Sequence, residues 1–296
     1  MVELTIERIT SELNALVSKM GKNMETLDYY IRLKRKENVH MYNLIKLISQ
    51  YARETGDADL AVQLDLHWFC ACKILRFSKV TKEICGEEVW RKIFDGLEFP
   101  TEAWTDWTQT ERTDFALALQ KKFLSVSSPE IYKSALEAVA RTWVDKEFAT
   151  TKKTVTLADL DAFIKERNEN WSDDLHNQHI SNDKSIIAEF SSEKWKIRRE
   201  GSKIIVAQRP FLMDKYVTQN DNKMKRYYTC RCPWVRASIL KEETISSSFC
   251  HCSLGYQKQA FEDFFGQRLE GKVISSALEE DATQCVFEID IPQDIL

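Results

Sequence analysis

Glycine and proline are scarce, at 8 and 5 in 296 residues, so most of the chain lacks the breakers that would interrupt a helix. No stretch approaches the roughly 18 uninterrupted apolar residues that a membrane-spanning helix needs. The opening residues, MVELTIERITSEL, alternate charged with apolar side chains and have no basic segment leading into an apolar one. They do not read as an export signal, and cytoplasmic residence is the expectation. A glycine-rich phosphate loop, a dinucleotide fingerprint, a nucleophile elbow and a His-Glu-x-x-His motif are all missing, which removes several large enzyme classes. A global basic excess is missing too: the net charge is -4 with 30% charged residues, which argues against a nucleic-acid partner.

What is there fits a globular protein. A chain of 296 residues with 43% hydrophobic content exceeds the usual single-domain size, so two domains sharing a sizeable core are expected. Eight cysteines in a chain of this size without an export signal read as thiols, buried or functional, rather than as a disulfide framework.

From residue 2 to about 171 the pattern is one of consecutive amphipathic helices, clearest near 2–20, 38–54, 58–78, 108–124, 129–147 and 157–170. Asp57 is placed to cap the third. Ser128, Pro129 and Glu130 combine a cap, a first-turn proline and an acidic first-turn residue, and Thr156 with Asp159 forms a capping-box pattern. The polar, aperiodic stretch from Asn168 to Lys184 marks a linker. Beyond it the period changes to two. Trp195 and Ile197, then Ile204 and Val206, flank the turn Glu200-Gly201-Ser202 as a hairpin. Cys285, Phe287, Ile289 and Ile291 share one face of a last strand, with 271–278 before the turn 279–283 as its partner. The fold class is α+β: an all-α domain (1–171), a linker (172–192), and an α+β domain (193–296) with antiparallel hairpins packed on helices.

Between the hairpins, Ser246-Ser247-Ser248 starts a helix that Gly266 stops. Phe249, Cys250, Cys252, Leu254, Tyr256, Ala260, Phe261, Phe264 and Phe265 fill a broad apolar arc that faces the sheet, and His251, Lys258 and Glu262 are expected on the opposite, polar side.

Three Cys-x-Cys pairs occur. In a helix, residues two apart diverge by about 200°, whereas in an extended segment they point the same way. Cys70 and Cys72 lie in a long helix and read as small core residues, with His67 a satisfied polar group one turn earlier. Cys230 and Cys232 differ, because Pro233 disfavours helix at Cys232 and leaves both thiols free to face one site. Cys250, in the opening turn of its helix, is expected to have a lowered thiol pKa from the unpaired amides and the dipole. With Cys285 these make a candidate cluster of Cys230, Cys232, Cys250 and Cys285. Three readings stay open for it: a zinc site, although Cys-x-Cys matches structural zinc less well than Cys-x-x-Cys; a catalytic or ligand-contacting thiol; and inert packing. His176 and His179 in the linker have nothing to orient them.

Residues 194–226 carry ten Lys or Arg against three acids, a local net of +7. Such a run reads as the wet face of a hairpin or as a lure for a carboxylate or other anionic ligand. Tyr227 and Tyr228 alone are too few to stack single-stranded nucleic acid.

The segments Cys230-Arg-Cys232-Pro233-Trp234, Phe249-Cys250-His251-Cys252-Ser253-Leu254-Gly255-Tyr256 and Cys285-Val286-Phe287-Glu288-Ile289 resemble the 4-vinyl reductase domain and, more loosely, the 2-amino-thiazoline-4-carboxylate hydrolase family. The matching positions are Gly255, Tyr256, Gly266, Cys285 and Phe287, in about a third of the chain. Glu280-Asp281 stands where the first family usually has Gly-Asp, and Ser276 or Ala277 where its hairpin has a cysteine. The first resemblance implies a binder of small hydrophobic or aromatic ligands that tends to pair as a homodimer, with Cys230, Cys232, Trp234, Cys250, Tyr256 and Cys285 as ligand-binding residues. The second implies a hydrolase opening a cyclic amidine-like ring, with Cys250 as the catalytic nucleophile. A zinc-stabilised interaction module is a third reading.

Overall fold

Helix starts follow from side chains that accept backbone amides. The Thr5 hydroxyl accepts Arg8 N at 3.3 Å, and the Ser128 hydroxyl accepts Ile131 N at 3.3 Å. At Thr156 the capping box closes in both directions, with Thr156 N donating to Asp159 at 2.8 Å and Asp159 N to the threonine hydroxyl at 3.2 Å. Each cap satisfies an amide that the first turn leaves without an intrahelical partner.

The computed structural model describes residues 5–21, 29–30, 33–34, 44, 47–48, 51, 55, 58–97, 109–141, 153–177, 184–241 and 245–296, with the side chains of 58–73, 75, 109–110, 141, 171–177 and 184 left aside. Asp57, His67, Cys70, Cys72, His176 and His179, and most of the expected helix 38–54, lie outside that description. The helices are α1 (Ile6–Met20), α2 (Ala58–Phe94, kinked at Gly86), α3 (Gln109–Val126), α4 (Pro129–Arg141), α5 (Leu157–Asn177), α6 (Lys184–Phe190), α7 (Met213–Thr218), α8 (Asn222–Thr229) and α9 (His251–Phe265). The strands are β1 (Arg198–Glu200), β2 (Lys203–Gln208), β3 (Gly271–Ser275) and β4 (Cys285–Asp290). They form one antiparallel sheet in the order β1-β2-β4-β3. The α+β class is therefore as the periodicity indicates.

Both hairpins fall where alternation places them. Gly201 turns β1 into β2 at φ +58°, a left-handed conformation that glycine adopts without a Cβ penalty. Val206 pairs with Phe287 and Ile204 with Ile289, and Cys285, Phe287, Ile289 and Ile291 all face inward and are buried. No helix among the described residues is long and apolar enough to cross a membrane.

The segment 172–192 is not a plain linker. Helix α5 runs on to Asn177 and α6 occupies Lys184–Phe190. Nor do the halves keep separate interiors: one apolar cluster runs from Ile74, Phe77 and Phe123 through Leu136 and Val139 to Trp234, Phe249, Phe287 and Ile291. Helix α9 lies between α4 on one side and the sheet on the other. Phe163 of α5 stacks on Phe264 with ring centroids 4.6 Å apart. The Asn168 side chain brackets the backbone of Ile197, donating to its carbonyl at 2.8 Å and accepting its amide at 2.9 Å. Arg199 makes a two-pronged pair with Asp161 at 2.7 Å.

Helices α9 and α4 approach closely at Gly255. A Cβ there would stand 2.4 Å from the Glu137 carbonyl oxygen, so the backbones of α9 and α4 touch where α9 has no side chain.

Candidate functional site

Having α4 and the sheet on opposite sides of α9 decides where its polar residues go. His251, Lys258 and Glu262 do not form the solvent face that the helical wheel predicts. Lys258 is 1% and Glu262 0% exposed. His251 Nδ1 lies 2.8 Å from one oxygen of Glu137, and Lys258 Nζ donates to the other at 2.6 Å. Burial alone would raise the Glu137 carboxyl, but the hydrogen bonds from His251 and Lys258 outweigh it and hold the group below its ordinary value. Glu262 accepts Arg268 Nη1 at 3.0 Å and the amide of Leu269 at 3.2 Å, tying the end of α9 to the chain that leaves it. The wheel sees only one helix. The counter-charge for Lys258 comes from Glu137 on another.

The cysteines divide between two surroundings. Cys230 adopts an extended backbone (φ -67°, ψ 118°) as it closes α8. Cys250 sits at the end of a 3-10 turn, Ser247–Cys250, rather than inside the helix. Its sulfur lies 3.0 Å from the Ser276 hydroxyl. Cys285 opens β4, and its sulfur accepts the Ala277 amide at 3.4 Å. The thiolate of Cys230 is disfavoured by Cys232 and Cys285, and that of Cys250 by Cys285, Cys230 and Cys232. The cysteines described are free thiols.

This convergence does not activate them. Burial pushes the Cys250 thiol well above its ordinary value, and Cys285 and Cys230 push it further than the Ser276 hydroxyl pulls it back. The expected lowering by the helix start is overturned, because desolvation of a thiolate outweighs the partial charge of a helix end. Cys230 is raised by burial and by Cys232 and Cys285, against the pull of Arg236. Burial likewise raises Cys285 over the opposing Ala277 amide and Arg231. Among the described residues no group of three or more His, Cys, Asp or Glu is arranged to hold a metal ion, so a zinc site has no three-ligand set to rest on. Iodoacetamide labelling of the native protein at neutral pH is expected to leave Cys230, Cys250 and Cys285 unmodified, with all three reacting once urea unfolds the chain. Fast labelling of Cys250 alone in the native state would restore it as a nucleophile.

Cys232 and Cys252 also line a cavity. With Trp234 and Phe249 they meet Ile74, Phe77, Leu119, Leu136 and Val139 around a cavity of about 20 Å³. This space lies in the seam between the helical half and the sheet-bearing half. Cys252 faces the seam while Cys250 faces the hairpin residue Ser276, the divergence expected of residues two apart at a helix start. Of the ligand-contacting set expected from the resemblance, Cys232 and Trp234 line the cavity, whereas Cys230, Cys250, Cys285 and Tyr256 do not. Phe249, Cys252 and the helical residues complete the lining. Cys252 and Phe249 were legible only as members of an apolar arc, and nothing in the sequence singles out Leu119 or Leu136.

No family model, curated protein or solved structure matches this chain.

The basic run 194–226 spans several elements instead of one wet face. Lys203 pairs with Asp290 at 2.6 Å, and Lys196 with Glu193 at 2.6 Å. Arg209 and Arg226 are buried; Arg209 donates to the Phe190 carbonyl at 2.8 Å, and Arg226 to the carbonyls of Ala277 and Leu278 at 3.0 and 3.1 Å. Much of the excess charge is thus spent on carboxylates and chain carbonyls.

Proposed function

We propose that this chain is a small-molecule-binding protein whose ligand occupies the seam between its two halves, beside the buried thiols and without turnover. The supporting observation is the cavity bounded by Cys232, Trp234, Phe249 and Cys252 on one side and Ile74, Phe77, Leu119, Leu136 and Val139 on the other. A space lined by aliphatic, aromatic and thiol groups favours an apolar guest. At about 20 Å³ it seats a group about the size of a water molecule, and a larger ligand requires the lining side chains to move apart.

A cysteine-dependent hydrolase is the weaker reading. Its nucleophile would be a thiol that burial keeps protonated, and the neighbouring imidazole already engages Glu137. A nucleophile with neither a lowered pKa nor a base beside it is slow.

A panel of small aliphatic and aromatic compounds tests the binding reading by thermal unfolding. Leu136→Phe fills the seam with a ring and is expected to alter stability by about 1–3 kcal/mol. Some compounds should raise the melting temperature of the unmodified protein and leave Leu136→Phe unmoved. If no compound separates the two proteins, the seam is packing and the reading fails.

A further inference from the structure

The residues that line the seam cavity present no polar atom to it. A buried water needs several polar partners, so this space excludes water. Nor can its walls easily fall inward. Leu136 and Val139 flank Glu137 in α4, whose backbone already abuts α9: a Cβ at Gly255 would stand 2.4 Å from the Glu137 carbonyl oxygen. On the next wall, the Phe77 ring meets those of Phe123 and Tyr132 at centroid distances of 5.7 and 6.1 Å. Trp234 leans on Phe115 at 5.8 Å. Each of these side chains is held from behind, away from the cavity, and a void that its surroundings cannot close persists as a void.

A dry space held open leaves its lining without dispersion partners on one side. A guest that restores them must fit about 20 Å³, a volume about the size of a water molecule. It must also leave no hydrogen bonds behind in water, because this wall replaces none of them. We infer that the seam, with its walls at rest, takes up a nonpolar gas molecule of the dioxygen class. The sulfurs of Cys232 and Cys252 on the wall suit such a guest, since sulfur is soft and polarisable. This rests on the seam being a binding site and adds the chemical class of what enters it; larger compounds enter only by parting the walls. So small a guest binds at millimolar levels, and occupancy therefore follows gas pressure.

Dioxygen is paramagnetic and speeds the relaxation of nuclei beside it, so it serves as its own probe, with dinitrogen at equal pressure as the diamagnetic reference. Under raised dioxygen pressure the methyl resonances of Leu119, Leu136 and Val139 are expected to relax several-fold faster than those of Leu160 and Ile289, which are as deeply buried but lie off the wall. Leu136→Phe fills the space and should bring the wall methyls down to the level of the others. Val139→Leu, a smaller filling from the same helix, should do so in part and serves if the phenylalanine variant does not fold. Equal relaxation throughout the interior of the unmodified protein, or an excess that both fillings leave intact, overturns the gas assignment. Benzene separates this from the wider reading. If benzene shifts the wall resonances while dioxygen shows no preference for them, the seam remains a binding site and the gas assignment falls; if neither acts, both fall.

Discussion

Gly255→Ala is expected to destabilise the protein by about 3 kcal/mol, although alanine is the better helix former. Intrinsic propensity favours alanine inside a helix by roughly 1 kcal/mol. Against that, the added methyl would stand 2.4 Å from the Glu137 carbonyl oxygen and 2.9 Å from its Cα. These are backbone atoms of α4 and cannot rotate away as the end of a flexible side chain could. Relief requires the helices to part, which disturbs the Lys258–Glu137 contact at 2.6 Å and the interior that both halves share. Overpacking of this kind costs about 1–3 kcal/mol and sometimes more, so the clash wins over propensity. Urea unfolding followed by circular dichroism measures it. A midpoint at or above that of the unmodified protein would show that α4 and α9 have room to separate.

The second large effect concerns Glu137. Replacing it with leucine removes the acceptor from a lysine that is 1% exposed and leaves an ammonium group in the interior without its counter-charge. Breaking a buried pair from one side costs about 3–5 kcal/mol. Joining Glu137→Leu to Lys258→Met removes both charges and should recover most of the loss, because a well-packed apolar pair is often as stable as the ion pair it replaces. The same contact makes stability sensitive to acid. The folded carboxyl is held below its ordinary value of 4.5, so its contribution is complete above that value and is lost as the pH falls through the lower, folded one. The Glu137→Leu/Lys258→Met protein should therefore lose less stability than the unmodified protein from about pH 4.5 downward. Equal acid sensitivity in the two would assign the effect to other carboxylates.

The outcomes along the chain separate what local pattern encodes from what a distant partner decides. The hairpins were legible because alternation of period two, with Gly201 and the 279–283 turn as punctuation, is a local property of the strands. The caps at Ser128 and Thr156 were legible for the same reason. The end of α5 was not, since Asn168 to Asn177 is polar and shows no apolar stripe, yet Asn168 is used to bracket Ile197. Lys258 was misread because its environment depends on Glu137, 121 residues earlier. The thiols were half legible. Alternation in β4 places Cys285 on the buried face, but the protonation of Cys230, Cys250 and Cys285 follows from burial, which no spacing reveals. The seam was the least legible feature, because Leu119, Leu136 and Val139 are ordinary helix-core residues until the other half is laid against them.

The bare backbone contact at Gly255 also limits how this chain could be taken apart. Because α9 meets α4 there with no intervening side chain, and lends its lysine to a carboxylate on that helix, the sheet-bearing half is shaped to one particular neighbour. Grafted onto another protein, or cut free at residue 193, it would present an unfilled groove and a buried-type cation to water. The two halves are thus to be engineered as a pair, not as exchangeable modules.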